Sequence, residues 1–421
     1  MLDIKYIREN PVLVQNATNA KNFPVDINKL LDLERQTRVL QGQWEELQSE
    51  RNQLSKTIRN ASESEKDSIK SKVLSIKEKM EGIHLELKNK KTDFDEMMLK
   101  VAQPARDDVP IGKDDQENVE VKKWGEIPQF EFKPQDHVAL GKNLGMIDFE
   151  RGVKLSGSRS YVLKKDGALL EQALLRFGYD KLLEHGFQAM SVPVLVNEEA
   201  MLGTGYFPLG KDQAYYCEKD KMALVGTSEV PMCAFHGNEV LQEKDLPLRY
   251  MAQTTCFRRE AGTYGKDTRG LYRVHQFQKI EMVVMTAADK ESTDRMHEEL
   301  LGLAESLLQD LGLAYRVVYV CTGDLGQGQV RKHDVETWMP SRNSYGETHS
   351  CSSFYDFQAR RLKIKYKDAK GKKHLVYTLN NTLLAAPRII LALMENFQTK
   401  EGKIAIPTCL QKYLGGRTHL G

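Results

Sequence analysis

The densest concentration of chemically capable side chains lies in residues 254–285, TTCFRREAGTYGKDTRGLYRVHQFQKIEMVVM. The run reads as a strand, a polar glycine-bearing loop and a return strand. Phe257-Arg258-Arg259-Glu260 closes the first strand, and the loop 261–270 carries three glycines with Lys266, Asp267 and Arg269. On the return strand a period of two places Arg273, His275, Phe277, Lys279 and Glu281 on one face. A guanidinium pairs with phosphate, a ring stacks on a base and a carboxylate captures an amine, so such a face suits a nucleotide. A solvated sheet face would account for charges alone. Five functional side chains opposite an FRRE corner favour a site.

Other chemistries find no support. There is no Ser-His-Asp or paired-carboxylate motif. Cys217, Cys233, Cys256, Cys321, Cys351 and Cys409 are scattered without a C-x-x-C pair, which suggests neither zinc nor a disulfide framework. A reducing cytoplasm is the expected compartment. The longest apolar run, 389–394, is far short of the roughly 20 residues of a membrane span, and MLDIKYIREN is not a targeting segment. The chain has 421 residues, 40% hydrophobic and 29% charged, with net charge +2. That is a folded chain of two or three domains and no polycation, although one face can still be basic.

Elements able to position the 254–285 run follow from periodicity. Residues 168–185 and 290–312 read as helices, the latter with Leu300, Leu303, Leu307, Leu308 and Leu311. Residues 187–195, 315–321 and 363–367 read as strands. Strands in succession without regular helical crossovers predict an α+β domain with a mostly antiparallel sheet and flanking helices, over 136–421. Residues 102–135, with four prolines, many acids and no helical period, read as a linker.

Residues 1–101 differ. Leu30, Leu33, Thr37, Leu40, Trp44, Leu47, Arg51, Leu54 and Ile58 step alternately by three and four, a heptad seam on one long helix. The period breaks near Asn60 and resumes at Ile69, Val73, Ile76, Met80, Ile83, Leu87, Lys90, Phe94, Met97 and Val101. Two such helices predict an antiparallel hairpin about 50 Å long, projecting into solvent. Around the turn, Arg51, Lys56, Arg59, Lys66, Lys70, Lys72, Lys77 and Lys79 stand against four acids in residues 51–79. A solubilising coiled coil or a dimerisation arm fits this segment, and so does a phosphate-backbone contact. The absence of aromatics between Trp44 and Phe94 points to recognition of nucleic-acid shape.

Phe257-Arg258-x-Glu260 and its loop resemble motif 2 of the class II aminoacyl-tRNA synthetases, and EAGTYGKDTRGLYRVHQFQKIE resembles the seryl-tRNA synthetase family. Gly157-Ser158-Arg159, Met201 to Gly205, Thr227-Ser228-Glu229, Cys321 to Asp324 and residues 351–361 agree in order. Thr378-Leu379-Asn380 with Arg388 is similar to motif 3, and Pro193 to the proline of motif 1. The helical hairpin is similar to that family's tRNA-binding arm.

The resemblance implies serine, ATP and Mg²⁺ as ligands, tRNA(Ser) as acceptor with tRNA(Sec) as a further candidate, and a homodimer. It implies that Arg258 and Arg388 are catalytic, Arg258 on the α-phosphate and Arg388 stacking on adenine and reaching the γ-phosphate. Arg259 and Glu260 complete the motif 2 ATP contacts, Glu260 on the adenine amine. Phe277 stacks on adenine, and Arg273 binds the β- and γ-phosphates. Glu347, Thr348, His349 and Ser350 match the family's ATP run, with Glu347 and Ser350 as Mg²⁺ ligands. Thr227, Ser228, Glu229, Glu281, Asn380 and Thr382 form the serine pocket, Thr227 and Glu229 sharing one face of a strand. Arg51, Lys56, Arg59, Lys66, Lys70 and Lys72 contact tRNA.

The chain departs from the pattern at Asn381 and Pro387, where glycines are usual, and at Thr348 and His349, where small residues are usual. Asn381 is expected to keep a left-handed turn, and Pro387 to place a helix start near Ala385. A ligase charging a carrier protein and a non-enzymatic RNA-binding paralogue are the other readings. The long arm speaks against the first, and intact Arg258, Glu260, Glu281, Glu347 and Arg388 against the second.

Overall fold

The computed structural model describes residues 1–421 except Ala61, Thr263, Tyr264, Lys266 and Thr268, and except the side chains of Asn60, Glu63 and Ser64. Chain contacts divide it into two units, Met1–Pro104 and Ala105–Gly421.

In the first unit the interrupted heptads form helices Ile27–Thr57 and Glu63–Met98. Asp26 caps the first by accepting the Lys29 N–H at 3.0 Å. Ser62 and Glu65 form a capping box on the second, with the Ser62 N–H 2.9 Å from Glu65 Oε2. These caps satisfy amide donors that no preceding turn can satisfy, and the second of them starts its helix just past the pause in the heptads. Leu30, Leu33, Ile76, Met80 and Val101 of the seam are buried. Each such side chain stabilises the pairing by roughly 1.5–3 kcal/mol. Two helices with no counterpart in the sequence reading, Ile4–Glu9 and Pro11–Ala20, pack Ile7 and Val14 into one cluster with Leu30 and Val101. They are too short for periodicity to register. Lys56, Arg59, Lys70 and Lys72 are exposed, while Arg51 and Lys66 are half-buried.

The second unit is α+β. Its eight-stranded sheet runs in the order Val119–Trp124, Tyr315–Tyr319, Arg331–Met339, Ser344–Tyr355, Tyr377–Ala385, Gln276–Thr286, Leu248–Phe257 and Gln188–Met190. Every pairing is antiparallel except the last. Helices Asp166–Glu184, Lys290–Asp310 and Ala386–Asn396 contribute to the main core, where Leu174, Leu300, Leu307 and Ile389 join Ile280, Val284 and Leu383 of the sheet. Gly178 allows the close approach: a Cβ there would lie 3.1 Å from Ile280 Cδ1.

Three expectations need correction. The 102–135 segment contains the sheet's edge strand, Val119–Trp124, whose side chains are all exposed. Val119 and Val121 alternate with Glu120 and Lys122, but so short a run among prolines and acids does not stand out from a linker. Residues 187–195 are not one strand: Gln188–Met190 joins the main sheet and Leu195–Asn197 a separate three-stranded one, with Pro193 between. Asn381 keeps no left-handed turn. It sits inside strand Tyr377–Ala385 and donates from Nδ2 to the Leu300 carbonyl at 2.7 Å. The irregularity falls instead at Leu383, which has no partner between Thr382↔Glu281 and Leu384↔Ile280. Pro387 lies in the first turn of a helix capped by Ala385, as expected.

Candidate active site

Two adjoining cavities open beside the central strands. The first, about 240 Å³, is lined by Thr227, Glu229, Arg258, Lys279, Glu281, Ser350, Asn380 and Thr382, among others. The second, about 50 Å³, is lined by Arg258, Glu260, Tyr272, Arg273, Phe277, Glu347, Thr348, Thr382 and Arg388, among others. Arg258, Lys279 and Thr382 belong to both.

In the larger of the two, Lys279 and Glu281 point inward from strand Gln276–Thr286 and are paired through Lys279 Nζ and Glu281 Oε2. Lys279 Nζ also donates to Thr227 Oγ1 at 2.7 Å, and Thr382 Oγ1 donates to Glu281 Oε2 at 3.2 Å. Glu229 stands opposite, accepting from Tyr206 OH at 2.8 Å and Gln358 Nε2 at 2.7 Å. Gln358 is oriented in turn by Thr378 Oγ1, which donates to its Oε1 at 2.6 Å. Burial and then the neighbouring Glu281 raise the Glu229 carboxyl above its usual range. Two buried carboxylates share one lysine here, so an incoming ammonium is drawn to Glu229.

Thr227 and Glu229 reach this cavity by a different route from the one expected. Ser228 is helical, Glu229 opens helix Glu229–Ala234, and the Glu229 N–H donates to Thr227 Oγ1 at 3.2 Å. A turn into a helix, not a strand, brings the pair together. Ser228 is outside the cavity lining, its hydroxyl 3.4 Å from the Ala252 carbonyl.

The smaller cavity is cationic on one wall. Arg258 lies over the Phe277 ring, 5.4 Å from its centroid, and donates from Nε to the Gly226 carbonyl at 3.3 Å. Arg388 donates from Nη1 to the Glu347 carbonyl at 2.6 Å and from Nε to the Tyr272 carbonyl at 3.1 Å. It stacks on Tyr272 at 4.5 Å. Arg273 pairs with Glu260 at 3.0 Å. Burial pushes the Glu347 carboxyl up, but Arg388, Lys332 and Arg258 outweigh it and hold the group at about 2.

Glu347 and Ser350 are three apart on strand Ser344–Tyr355, a spacing that would place them on opposite faces of a regular strand. A bulge resolves this: Glu347 pairs with Glu336 and His349 with Val335, leaving Thr348 without a partner. Glu347 and Ser350 therefore line the adjoining cavities. Asp334 is the cross-strand partner of Ser350, and its carboxylate is 3.0 Å from Lys332 Nζ.

Two of the expected ATP residues, Arg259 and His349, stand elsewhere, while Thr348 lines the smaller cavity. Arg259 is exposed and lines neither cavity. His349 is buried outside both, its Nδ1 2.8 Å from Thr348 Oγ1, and burial lowers its imidazole to about 4. Thr348 spends its hydroxyl on Thr337 at 2.7 Å. His275 does not share a face with Arg273, because the strand begins only at Gln276. It lines a third cavity, about 550 Å³, with Phe257 and Gln276. Lys266 lies outside the described residues.

The sequence reading placed Lys279 on the functional face without a specific role, and singled out none of Tyr272, Tyr206 and Gln358. Lys279 and Tyr272 were within reach, since both sit in the 254–285 run. Tyr206 and Gln358 carry no local signal, because only the fold brings them to Glu229. Among the described residues no three His, Cys, Asp or Glu side chains form a metal cage, and no helix is long and apolar enough to cross a membrane.

Comparison with known proteins gives a consistent result. Residues 1–103 match the seryl-tRNA synthetase N-terminal domain, and residues 215–397 match the tRNA synthetase class II core domain (G, H, P, S and T). A serine–tRNA ligase from Deinococcus radiodurans is 42% identical over 421 residues, covering 100% of this chain and 99% of its own. The crystal structure of seryl-tRNA synthetase from Pyrococcus horikoshii complexed with ATP superposes with a TM-score of 0.90 at 36% identity, covering 100% of this chain and 99% of that one. That of the cytoplasmic serine–tRNA ligase from Naegleria fowleri in complex with AMP gives 0.85 at 30%, covering 100% and 98%.

Proposed function

This chain belongs to the seryl-tRNA synthetase family, and from that premise we propose how its two cavities join serine to tRNA. The observation that carries the reading is Arg258, which lines both a carboxylate-bearing cavity and an arginine-walled one. Serine binds in the first with its ammonium on Glu229 and its hydroxyl between Glu281 and Thr382. ATP binds in the second, against Phe277, Arg273 and Arg388. The serine carboxylate attacks the α-phosphorus, an O–P bond forms, the bond to the β-phosphate bridging oxygen breaks, and pyrophosphate leaves. Arg258 stabilises the charge that develops on the α-phosphate, a task needing placement more than proton transfer. A ribose hydroxyl at the 3′ end of tRNA(Ser) then attacks the seryl carbonyl and AMP departs.

The donors Glu347 and Ser350 fit Mg²⁺, a hard ion commonly held by one or two carboxylates together with substrate phosphates. Glu347 is held ionised by its cationic neighbours. When bound, the ion would neutralise phosphate charge. We assign residues 1–101 to tRNA binding, with Arg51, Lys56, Arg59, Lys66, Lys70 and Lys72 as contacts, 102–135 to a connection that also supplies an edge strand, and 136–421 to catalysis. The exposed apolar Val153, Leu155, Leu169 and Leu183 support a homodimer contact on this unit. Six free thiols support a cytoplasmic location. tRNA(Sec) is a further proposed acceptor.

Specificity follows from the pocket. Alanine would leave Glu281 and Thr382 without the hydroxyl they are placed to meet, an arrangement that discriminates strongly. Threonine is rejected by fit. The test is amino-acid-dependent exchange of labelled pyrophosphate into ATP with serine, alanine, threonine and glycine in parallel. Exchange with serine alone is expected; exchange driven by another amino acid would overturn the pocket assignment.

A further inference from the structure

Residues 363–373, KIKYKDAKGKK, hold six lysines against one acid in a chain whose net charge is only +2. They form a hairpin, with strand Lys365–Lys367 paired to Lys373–Leu375 and, on its other side, to Val240–Gln242. Ile364 and Tyr366 are buried, while Lys363, Lys365, Lys367, Lys370, Lys372 and Lys373 are all exposed.

Carboxylates of the hairpin and the segments around it are engaged elsewhere. Asp368 accepts from the Lys370 and Lys372 N–H groups at 2.9 and 2.8 Å and lies 2.9 Å from His374 Nε2. Glu243 accepts from the Ala369 N–H at 3.1 Å, and Asp356 pairs with Arg360 at 2.5 Å. The turn is thus held by these bonds while its ammonium groups face solvent. Lys367 stands directly across from Lys373, a like-charge pair that weakens a sheet.

Lysines on sheets commonly guard exposed edges against pairing with other chains. That does not explain Lys365 and Lys367, which lie on the middle strand of three, where both edges are covered. The strand begins just after helix Phe357–Leu362, whose Gln358 holds Glu229, so the hairpin follows directly in the chain on an element that orders the serine cavity.

We propose that this hairpin is a second docking surface for the ribose–phosphate backbone of the tRNA substrate, carried by the catalytic unit itself. Clustered, unneutralised ammonium groups gain affinity for a polyanion by releasing its counterions, whatever the sequence. The identification of the RNA rests on the ligase reading; pyrophosphate exchange, which needs no RNA, tests that reading separately.

The experiment uses the full-length protein and a fluorescently labelled tRNA(Ser) transcript, with anisotropy followed across a potassium chloride series. The triple variant K365Q/K367Q/K373Q is expected to bind on the order of tenfold more weakly at low salt, with the slope of log K against log salt shallower by about 2 to 3. Serine-dependent exchange stays unchanged, and K365R/K367R/K373R binds like the parent. Were the triple variant to lose exchange, K370Q/K372Q in the turn gives the same reading with a slope change of about 2. Parental affinity and slope in the glutamine variants would overturn the proposal. So would lysine-dependent binding to phosphatidylglycerol vesicles with tRNA binding unaffected.

Discussion

Replacing Lys279 by methionine is the sharpest test of how the cavity proposed for serine is built. Lys279 is 4% exposed and Glu281 2%, so their pair is shielded from solvent. A buried ion pair adds little net stability over an apolar pair of similar size, yet removing one member strands the other, at a cost of about 3–5 kcal/mol. The lost hydrogen bond to Thr227 adds roughly 1 kcal/mol. Lys279 is also one of the groups opposing the upward shift of Glu229, so its loss leaves two buried carboxylates facing each other. The variant is expected to unfold in urea with the catalytic unit destabilised by about 4–6 kcal/mol and to bind serine weakly. The double variant K279M/E281Q removes the stranded charge and should recover all but about 1–2 kcal/mol of stability, without recovering serine activation. A cost under about 1 kcal/mol for K279M, or no recovery in the double variant, would refute the reasoning, since the two side chains would then not form a desolvated pair.

Two other outcomes follow from the same geometry. Arg388→Lys cannot keep both carbonyl contacts and the stack on Tyr272, so the exchange rate should fall about 10²-fold with the KM for serine unchanged; a fall in serine affinity alone would contradict the placement of Arg388 at the ATP end. The second concerns acid. His297 and His333 are buried 2.9 Å apart, and burial followed by nearby positive charge lowers both, His333 to about 4. A lowered imidazole contributes stability that is complete above the unfolded value near 6.5 and is lost as pH falls toward the folded value. Asp334, raised to about 7 by burial, works in the opposite sense, so the effect is read as a difference: the stability advantage of the parent over H333Q should shrink between pH 6.5 and 4 by up to about 1.4 kcal/mol per pH unit. An advantage independent of pH would mean that His333 is not neutral in the fold.

Much of what local period and residue type govern was legible in the sequence. Alternating steps of three and four fixed the two arm helices, and the pause at Asn60 fixed their reversal, because helix pairing repeats over a few residues. The strand–loop–strand run at 254–285 announced Arg258, Glu260, Phe277 and Glu281 for the same reason. Pro387 marked its helix start by removing an N–H that only a first turn can spare. Tertiary structure alone decided how these side chains meet. The bulge at Thr348 turns Glu347 and Ser350 toward adjoining cavities and leaves His349 in the interior. A helix start at Glu229, not a strand, presents Thr227 and Glu229 together. Tyr206 and Gln358 reach Glu229 from 23 and 129 residues away in the chain. Bulges, helix starts and distant partners are set by what the neighbouring strand or helix requires, and that information is spread over the whole fold rather than written in any one segment.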